Sequence, residues 1–301
     1  MFALQFHEYG DPDVLSIGDA SEPHAGPGEV RIATRAASVN PFDWKVRAGY
    51  LAGMVPLELP AIPGVDAAGV VDEVGEGVDG IQVGDEVFGL GSRTCAEFAV
   101  LDHATRKPPS LSFEGAAALG LAVESAARGL DMLGVGAGSS VLIDGAAGGV
   151  GSAAIQLALA RGATVIGTAG PANHDYLRAL GAIPTTYGAG LPARVARLAP
   201  NGVDAALDLA GKGSVPDLIV ITGDPQQVVT LADFSTAELG ARLADASTGR
   251  AYYALAEAAA LHDQGRFAIT VECVFPLKES AEAHRVSQDG HVRGKLVLTV
   301  P

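Results

Sequence analysis

The plainest chemistry in the chain lies at 145–151, Gly145-Ala146-Ala147-Gly148-Gly149-Val150-Gly151. Glycines at this spacing let a backbone approach a pyrophosphate that a Cβ would push away, and Gly148 holds the position of closest approach. Gly151 lets a following helix pack close against the preceding strand. The free N–H groups at the start of that helix, at the positive end of its dipole, then face the phosphates. Ala146 stands at the first glycine position of G-x-G-x-x-G, so the turn reads as A-x-G-x-x-G or, from Gly145, as G-x-x-G-x-x-G. Glycines alone are a weak signal; their frame makes this one specific.

That frame is an apolar run at 141–143, an amphipathic segment at 152–161 with Ile155, Leu157, Ala158 and Leu159 as its apolar residues, and a second apolar run at 163–166. Strand, turn, helix and strand within about thirty residues form the βαβ unit of a dinucleotide-binding domain. An NAD site places Asp or Glu about 20 residues on, to bind the ribose 2′-hydroxyl. Here Thr168, Ala169 and Gly170 are uncharged. Nothing repels a 2′-phosphate, which favours NADP(H), although no arginine follows directly to clamp it.

The whole chain sets the bounds. Its 301 residues are long for one domain and comfortable for two, and 48% of them are hydrophobic. A formal net charge of −15 argues against nucleic acid or an anionic membrane surface as partner. The N-terminus lacks a basic region followed by an apolar core, and no apolar run approaches the roughly 18 residues of a spanning helix. A soluble, cytoplasmic protein is expected. Cys95 and Cys273 stand far apart with no C-x-x-C or H-E-x-x-H, so reduced thiols are expected and no spacing advertises a metal site.

The elements that must position the turn come in order. Residues 1–118 read as β-rich, with strands at 2–9, 30–39, 67–74 and 83–90, turn signals between them and a short helix at 41–47. Short strands with glycine-rich turns suggest a small barrel. Residues 119–265 alternate: strands at 141–143, 164–168, 203–209 and 228–232, and helices at 124–133, 173–180, 192–198 and 252–262. Alternation predicts a doubly wound parallel sheet with ligand at the carboxyl ends of its strands. Residues 266–301 read as β-rich and are expected to return to the first domain. The fold class is α/β, a β-barrel domain plus a Rossmann domain.

Five stretches, the glycine turn among them, carry a resemblance. They are Ala37-Ser38-Val39-Asn40-Pro41-Phe42-Asp43-Trp44, Ile62-Pro63-Gly64-Val65-Asp66-Ala67-Ala68-Gly69-Val70-Val71, Val83-Gly84-Asp85-Glu86-Val87-Phe88-Gly89, the turn from Ala146 to Gln156, and Gly290-His291-Val292-Arg293-Gly294-Lys295. Over nearly its full length the chain resembles the zinc-free quinone oxidoreductase branch of the medium-chain dehydrogenase/reductase superfamily, which includes zeta-crystallin. The resemblance implies a GroES-like catalytic domain interrupted by the Rossmann domain. It also implies NADP(H), a small quinone or enone substrate and a homodimer joined along the Rossmann sheets, with 241–246 as the outer strand. Zinc-using relatives carry a Cys where this chain has Asn40 and a His-Glu pair where it has Val65 and Asp66. No metal is expected. Without a Lewis acid, a quinone or an activated α,β-unsaturated carbonyl fits, because such an acceptor carries its own electron sink. An enoyl or alkenal reductase, or a catalytically weak nucleotide-binding crystallin-like protein, are the alternatives.

The resemblance also suggests site residues. Asn40 matches a position near the nicotinamide and either donates its amide to the substrate oxygen or caps the helix at Pro41. Ser125 matches a hydroxyl on the nicotinamide ribose; otherwise it is an N-terminal helix hydroxyl. By their own chemistry rather than by the resemblance, Tyr50, Trp44 and Phe42 line a pocket for a flat ring or belong to the core. Tyr187 matches an aromatic beside the adenosine 2′-phosphate, with Asn173 and His174 where the family has a basic residue. Leu231, at the end of the fourth Rossmann strand, joins the cofactor set. Lys295 lies in the C-terminal motif and is a cofactor residue or a strand-edge charge. Asp144, an acid just before the glycines, has no functional reading from the sequence.

Overall fold

The structure, a computed structural model, describes residues 1–234 and 236–301. Its packing divides the chain into two compact units, Met1–Leu121 with Leu255–Pro301, and Ala122–Ala254. The divisions fall inside helices, whereas composition changes near residues 118 and 265.

In the first unit, β1 (Phe2–Phe6) and β2 (Leu15–Asp19) form an antiparallel ribbon. The main sheet begins with β3 (Val30–Val39), followed by α1 (Pro41–Arg47), β4 (Asp66–Val74), β5 (Glu86–Ser92) and β6 (Phe98–Arg106). β3 pairs with β4, β4 with β5, β5 with β6, and β6 with β3 again, all antiparallel. Four strands thus close on themselves and leave no open edge among them. α2 (Phe113–Ala117) starts at Ser112, whose side chain accepts from the Gly115 amide, and leads into α3 (Gly120–Met132).

The second unit alternates: β7 (Ser140–Asp144), α4 (Gly149–Ala160), β8 (Thr164–Thr168), α5 (His174–Ala179), β9 (Ile183–Thr185), α6 (Leu191–Leu198), β10 (Ala205–Asp208), α7 (Val215–Thr222), β11 (Val228–Thr230) and β12 (Arg242–Leu243). Its six strands are parallel, in the order β12-β11-β10-β7-β8-β9. The order reverses between β7 and β10, where a doubly wound sheet opens a crevice at its carboxyl ends. Leu142, Ile166, Val195, Ala206, Leu218 and Val228 are buried in its core.

After α8 (Tyr253–Asp263) come β13 (Val271–Pro276), α9 (Ser280–Asp289) and β14 (Lys295–Thr299). β14 pairs antiparallel with β3 and parallel with β13, so the last strands complete the first unit's sheet. Leu296 and Leu298 join its core beside Leu4, Ile32, Val71 and Leu101.

Three expectations need correction. The stretch 266–301 is not uniformly β-rich, because α9 lies between its strands, burying Ala283 and His284. The outer strand expected at 241–246 shrinks to the two residues of β12. The strand expected at 83–90 starts at Glu86, because Gly84 turns there with φ +92° and leaves Val83 exposed. The run Val215–Thr222 is helical despite four consecutive β-formers, Ile219 to Thr222; Pro216 lies in its first turn and Gly223, at φ +75°, ends it.

Candidate active site

Gly145 leaves β7 with φ +79°, and a Cβ there would stand 3.1 Å from the Ala210 nitrogen. The first demand for glycine thus falls at Gly145, which favours the G-x-x-G-x-x-G reading. Ala146 tolerates its methyl because Gly167 on β8 faces it: a Cβ on Gly167 would lie 2.8 Å from the Ala146 Cβ. Gly151 is required by packing, since a Cβ would meet the Gly145 oxygen at 2.4 Å. Gly148 is different. It is the N-cap of α4 with φ −73°, and a Cβ there would touch only the Gly145 oxygen, at 3.6 Å. Nothing in the protein demands a glycine at 148; the space in front of it is a cradle that a side chain would fill. Among the described residues, the amides of Ala147, Gly149, Val150 and Gly151 have no acceptor. Unsatisfied amides at a helix N-terminus bordering open space fit a pyrophosphate.

Buried side chains hold the strand ends in place. Thr168 donates its hydroxyl to Asp144 and accepts the Gly145 amide at 3.1 Å. Ser214 donates to the other Asp144 oxygen at 2.6 Å. Asp208, in register with Asp144, accepts the Ala210 and Gly211 amides at 3.0 Å each and the Thr230 hydroxyl at 2.7 Å. Burial raises the Asp208 carboxyl above its ordinary range, against those hydrogen bonds. Asp144 thereby acquires its role: it ties β8 and the loop after β10 to the phosphate turn. Thr168, expected in the cofactor set, is fully buried with its hydroxyl already bonded, so its side chain positions the turn. The sequence signal was present in Asp144 and Asp208, each ending an apolar run.

The edge beyond β8 is uncharged. Ala169 is buried and its amide bonds the Thr185 oxygen, while a Cβ on half-buried Gly170 would meet nothing within 4 Å. His174 Nε2 lies 3.2 Å from the Ala169 oxygen. Tyr187 is 58% exposed on the turn after β9. The half-buried Leu231 packs toward α3, where a Cβ on Gly129 would come within 3.3 Å of it. Ser125 is buried in the second turn of α3 and donates to Glu124 at 3.4 Å; the helix starts at Gly120, so Ser125 is not an N-terminal hydroxyl.

In the first unit, Asn40 and Lys295 meet. β14 lies between β13 and β3, so Lys295 is buried mid-sheet and is not a strand-edge charge. Its ammonium donates to Asn40 Oδ1 and stands 3.9 Å from Asp66 Oδ2. Asn40 Nδ2 donates to Asp66 Oδ1 at 2.8 Å and reaches Ser38 and Asp43 at 3.3 Å. Asp43 accepts the Asn40 amide at 2.7 Å, and Asp66 Oδ2 accepts the Leu121 amide at 2.9 Å. The Asn40 carboxamide is therefore buried and internally bonded on every side, contrary to the expectation that it donates to substrate. Burial drives the Asp43 carboxyl up to about 7, with the Asp66 charge adding, and pulls the Lys295 ammonium down against the attraction of Asp66 and Asp43. The Cys95 thiol is pushed well up by burial and the same two acids.

Tyr50 stands apart from that network. It is 72% exposed and meets Trp44 edge-on at 6.0 Å; among the described residues its hydroxyl has no hydrogen-bond partner. Trp44 is half-buried and Phe42 exposed. His284, expected to be a surface or satisfied histidine, is buried with Nδ1 unpartnered among the described residues, and burial beside Arg47 pulls it down to about 3. Among the described residues no three His, Cys, Asp or Glu side chains gather as a metal site requires, and no helix is long and apolar enough to cross a membrane.

Comparison with known proteins agrees with this layout. Residues 26–130 match the alcohol dehydrogenase GroES-like domain and residues 186–298 the zinc-binding dehydrogenase family. A chloroplast envelope quinone oxidoreductase homolog of Arabidopsis thaliana is 30% identical, the match covering 99% of this chain and 98% of that protein. The spectinabilin polyketide synthase system protein NorB of Streptomyces orinoci is 37% identical over 97% of this chain, which spans 14% of that much longer protein. The solved quinone oxidoreductase of Coxiella burnetii superposes with a TM-score of 0.86 at 31% identity, covering 100% of this chain and 99% of that one. Fold and relatives together define an oxidoreductase that uses a nicotinamide cofactor. The chain belongs to the quinone oxidoreductase branch of the medium-chain dehydrogenase/reductase superfamily.

Proposed function

We propose that this enzyme reduces quinones or related activated carbonyl compounds with NADPH, without zinc. The observation that carries the reading is the side-chain cluster of the first unit, in which an ammonium already sits against the acids. A divalent cation at Asn40 and Asp66 would face the Lys295 charge and find the Asn40 oxygen taken. The acceptor must then carry its own electron sink, as a quinone does.

The open amides of Ala147, Gly149, Val150 and Gly151 bind the cofactor pyrophosphate, and the uncharged Ala169-Gly170 edge admits a 2′-phosphate, with His174 beside it and Tyr187 at the adenosine. Bound NADPH supplies a hydride. Tyr50, the exposed donor next to Trp44, hydrogen-bonds the oxygen on which charge develops. Asn40 and Lys295 hold the start of α1, which carries Phe42 and Trp44 and leads to Tyr50. The enzyme works in the cytoplasm as a homodimer, with the β12 side of the second sheet as its contact.

The test is NADPH oxidation against a panel of quinones and α,β-unsaturated carbonyls, before and after prolonged chelation. Quinone turnover that survives chelation supports the reading. Activity restored only by added zinc, or turnover confined to enoyl substrates, overturns it.

A further inference from the structure

Arg194, half-buried on α6, gathers four consecutive carbonyls onto one guanidinium. Nε and Nη2 donate to the Thr186 oxygen at 3.3 and 2.9 Å, Nη2 also reaches Tyr187 and Gly188 at 3.1 Å each, and Nη1 donates to Ala189 at 2.7 Å. Gly188 and Gly190, at φ +81° and +76°, bend the chain so that successive carbonyls face inward. A planar fork with five donors suits such a ring of acceptors; a lysine ammonium has three. The clamp is anchored, because Leu191 and Val195 bury the inner face of α6. The turn at 186–189 is thus fixed to a packed helix by side-chain bonds that local sequence does not advertise.

What that turn presents is the Tyr187 ring, exposed and, among the described residues, without a hydrogen-bond or ring partner. Arg194 holds only the backbone beneath the ring. Rigid backbone under an exposed aromatic is pre-organisation: a planar ligand that stacks there does not have to order the turn. Each guanidinium nitrogen of Arg194 already donates to a backbone carbonyl, so its main engagement is with the turn.

We infer that Arg194 is a positioning residue for the cofactor, fixing Tyr187 as a stacking platform at the adenosine end; this rests on the nicotinamide-dinucleotide reading above. Adenosine is common to NADPH and NADH, so loss of the clamp weakens both alike. Stacking of a base on an aromatic side chain is a contribution of about tenfold or more in affinity.

The experiment is fluorescence titration of NADPH and NADH against Arg194→Met, Arg194→Lys, Tyr187→Ala, Tyr187→Phe and the Tyr187→Ala/Arg194→Met double variant, with circular dichroism confirming the fold. Expected are dissociation constants raised about tenfold for both cofactors in Tyr187→Ala and Arg194→Met, near-parental binding in Tyr187→Phe and an intermediate value in Arg194→Lys. The double variant should bind no more weakly than Tyr187→Ala, since the two residues act as one unit. If Arg194→Met unfolds, the Arg194→Lys value decides. Parental binding by the Arg194 variants, losses that multiply in the double variant, or a loss confined to NADPH would overturn the proposal. Parental binding by Tyr187→Ala would remove the platform itself. Failure of the underlying reading looks different: Gly148→Val would then keep parental affinity as well.

Discussion

At the glycine turn of the second unit, backbone amides stand with no acceptor among the described residues; around Asn40 in the first unit, buried side chains bond one another. Both stretches look like ligand sites in the sequence. The turn is built to leave hydrogen bonds unmade, because the start of a helix cannot supply its own acceptors. The cluster turns its polar groups toward one another, because a buried ammonium and two buried acids are costly unless they face each other. A motif whose chemistry is backbone points outward to a ligand. A motif whose chemistry is charged side chains has first to satisfy itself.

The strongest challenge to this contrast is Lys295→Met. Removing the ammonium leaves Asp66 and Asp43 without the charge they face, and a loss of about 3–5 kcal/mol in folding stability is expected in urea unfolding. Parental stability would show that the cluster does not depend on its cation.

Gly148→Val tests the other side. Its Cβ meets only the Gly145 oxygen, at 3.6 Å, and no positive φ is involved, so thermal stability should stay near the parent. Several phosphate hydrogen bonds would be lost together, about 3 kcal/mol or on the order of a hundredfold in NADPH dissociation constant. Gly151→Val should instead destabilise the fold, because its Cβ would collide with the Gly145 oxygen at 2.4 Å. Equal behaviour of the two glycines would erase the distinction between ligand space and packing.

A smaller effect belongs to Asp43. Its folded value of about 7 lies above its ordinary 3.8, so its stabilising contribution is complete below 3.8 and is lost as pH rises through 7. Relative to Asp43→Asn, the parent should lose about 2 kcal/mol of stability between pH values of about 5 and 8. His284, pulled down to about 3, acts in the opposite sense: its contribution is present above 6.5 and fades as pH falls. A parent-to-Asp43→Asn difference that is flat with pH would place the Asp43 titration elsewhere.

The finest test is cofactor choice. Ala169 is buried, so an acid there would disturb the strand end, whereas a Cβ on Gly170 meets open space. Gly170→Asp should weaken NADPH by about tenfold and improve NADH, by repelling the 2′-phosphate and offering the 2′-hydroxyl a partner. Unchanged selectivity would move the adenosine edge away from β8.

Sequence alone determined the fold class, the glycine turn after β7 and the uncharged edge after β8, because each is written in residues adjacent along the chain. Glycine spacing between two apolar runs encodes the turn locally, and the match of α1 to its expected bounds follows from Pro41 and its flanking strand. Tertiary structure decided the rest. Asn40 and Lys295 are far apart in sequence and meet only because β14 pairs with β3, which engages inside the protein a carboxamide whose two readings the sequence left open. Tertiary packing likewise gave Asp144 its two hydroxyl partners, from β8 and from the loop after β10. Local propensity and motif spacing act over a few residues; the pairing of buried charges and polar side chains depends on which strands and helices come together, and that information is spread across the whole chain.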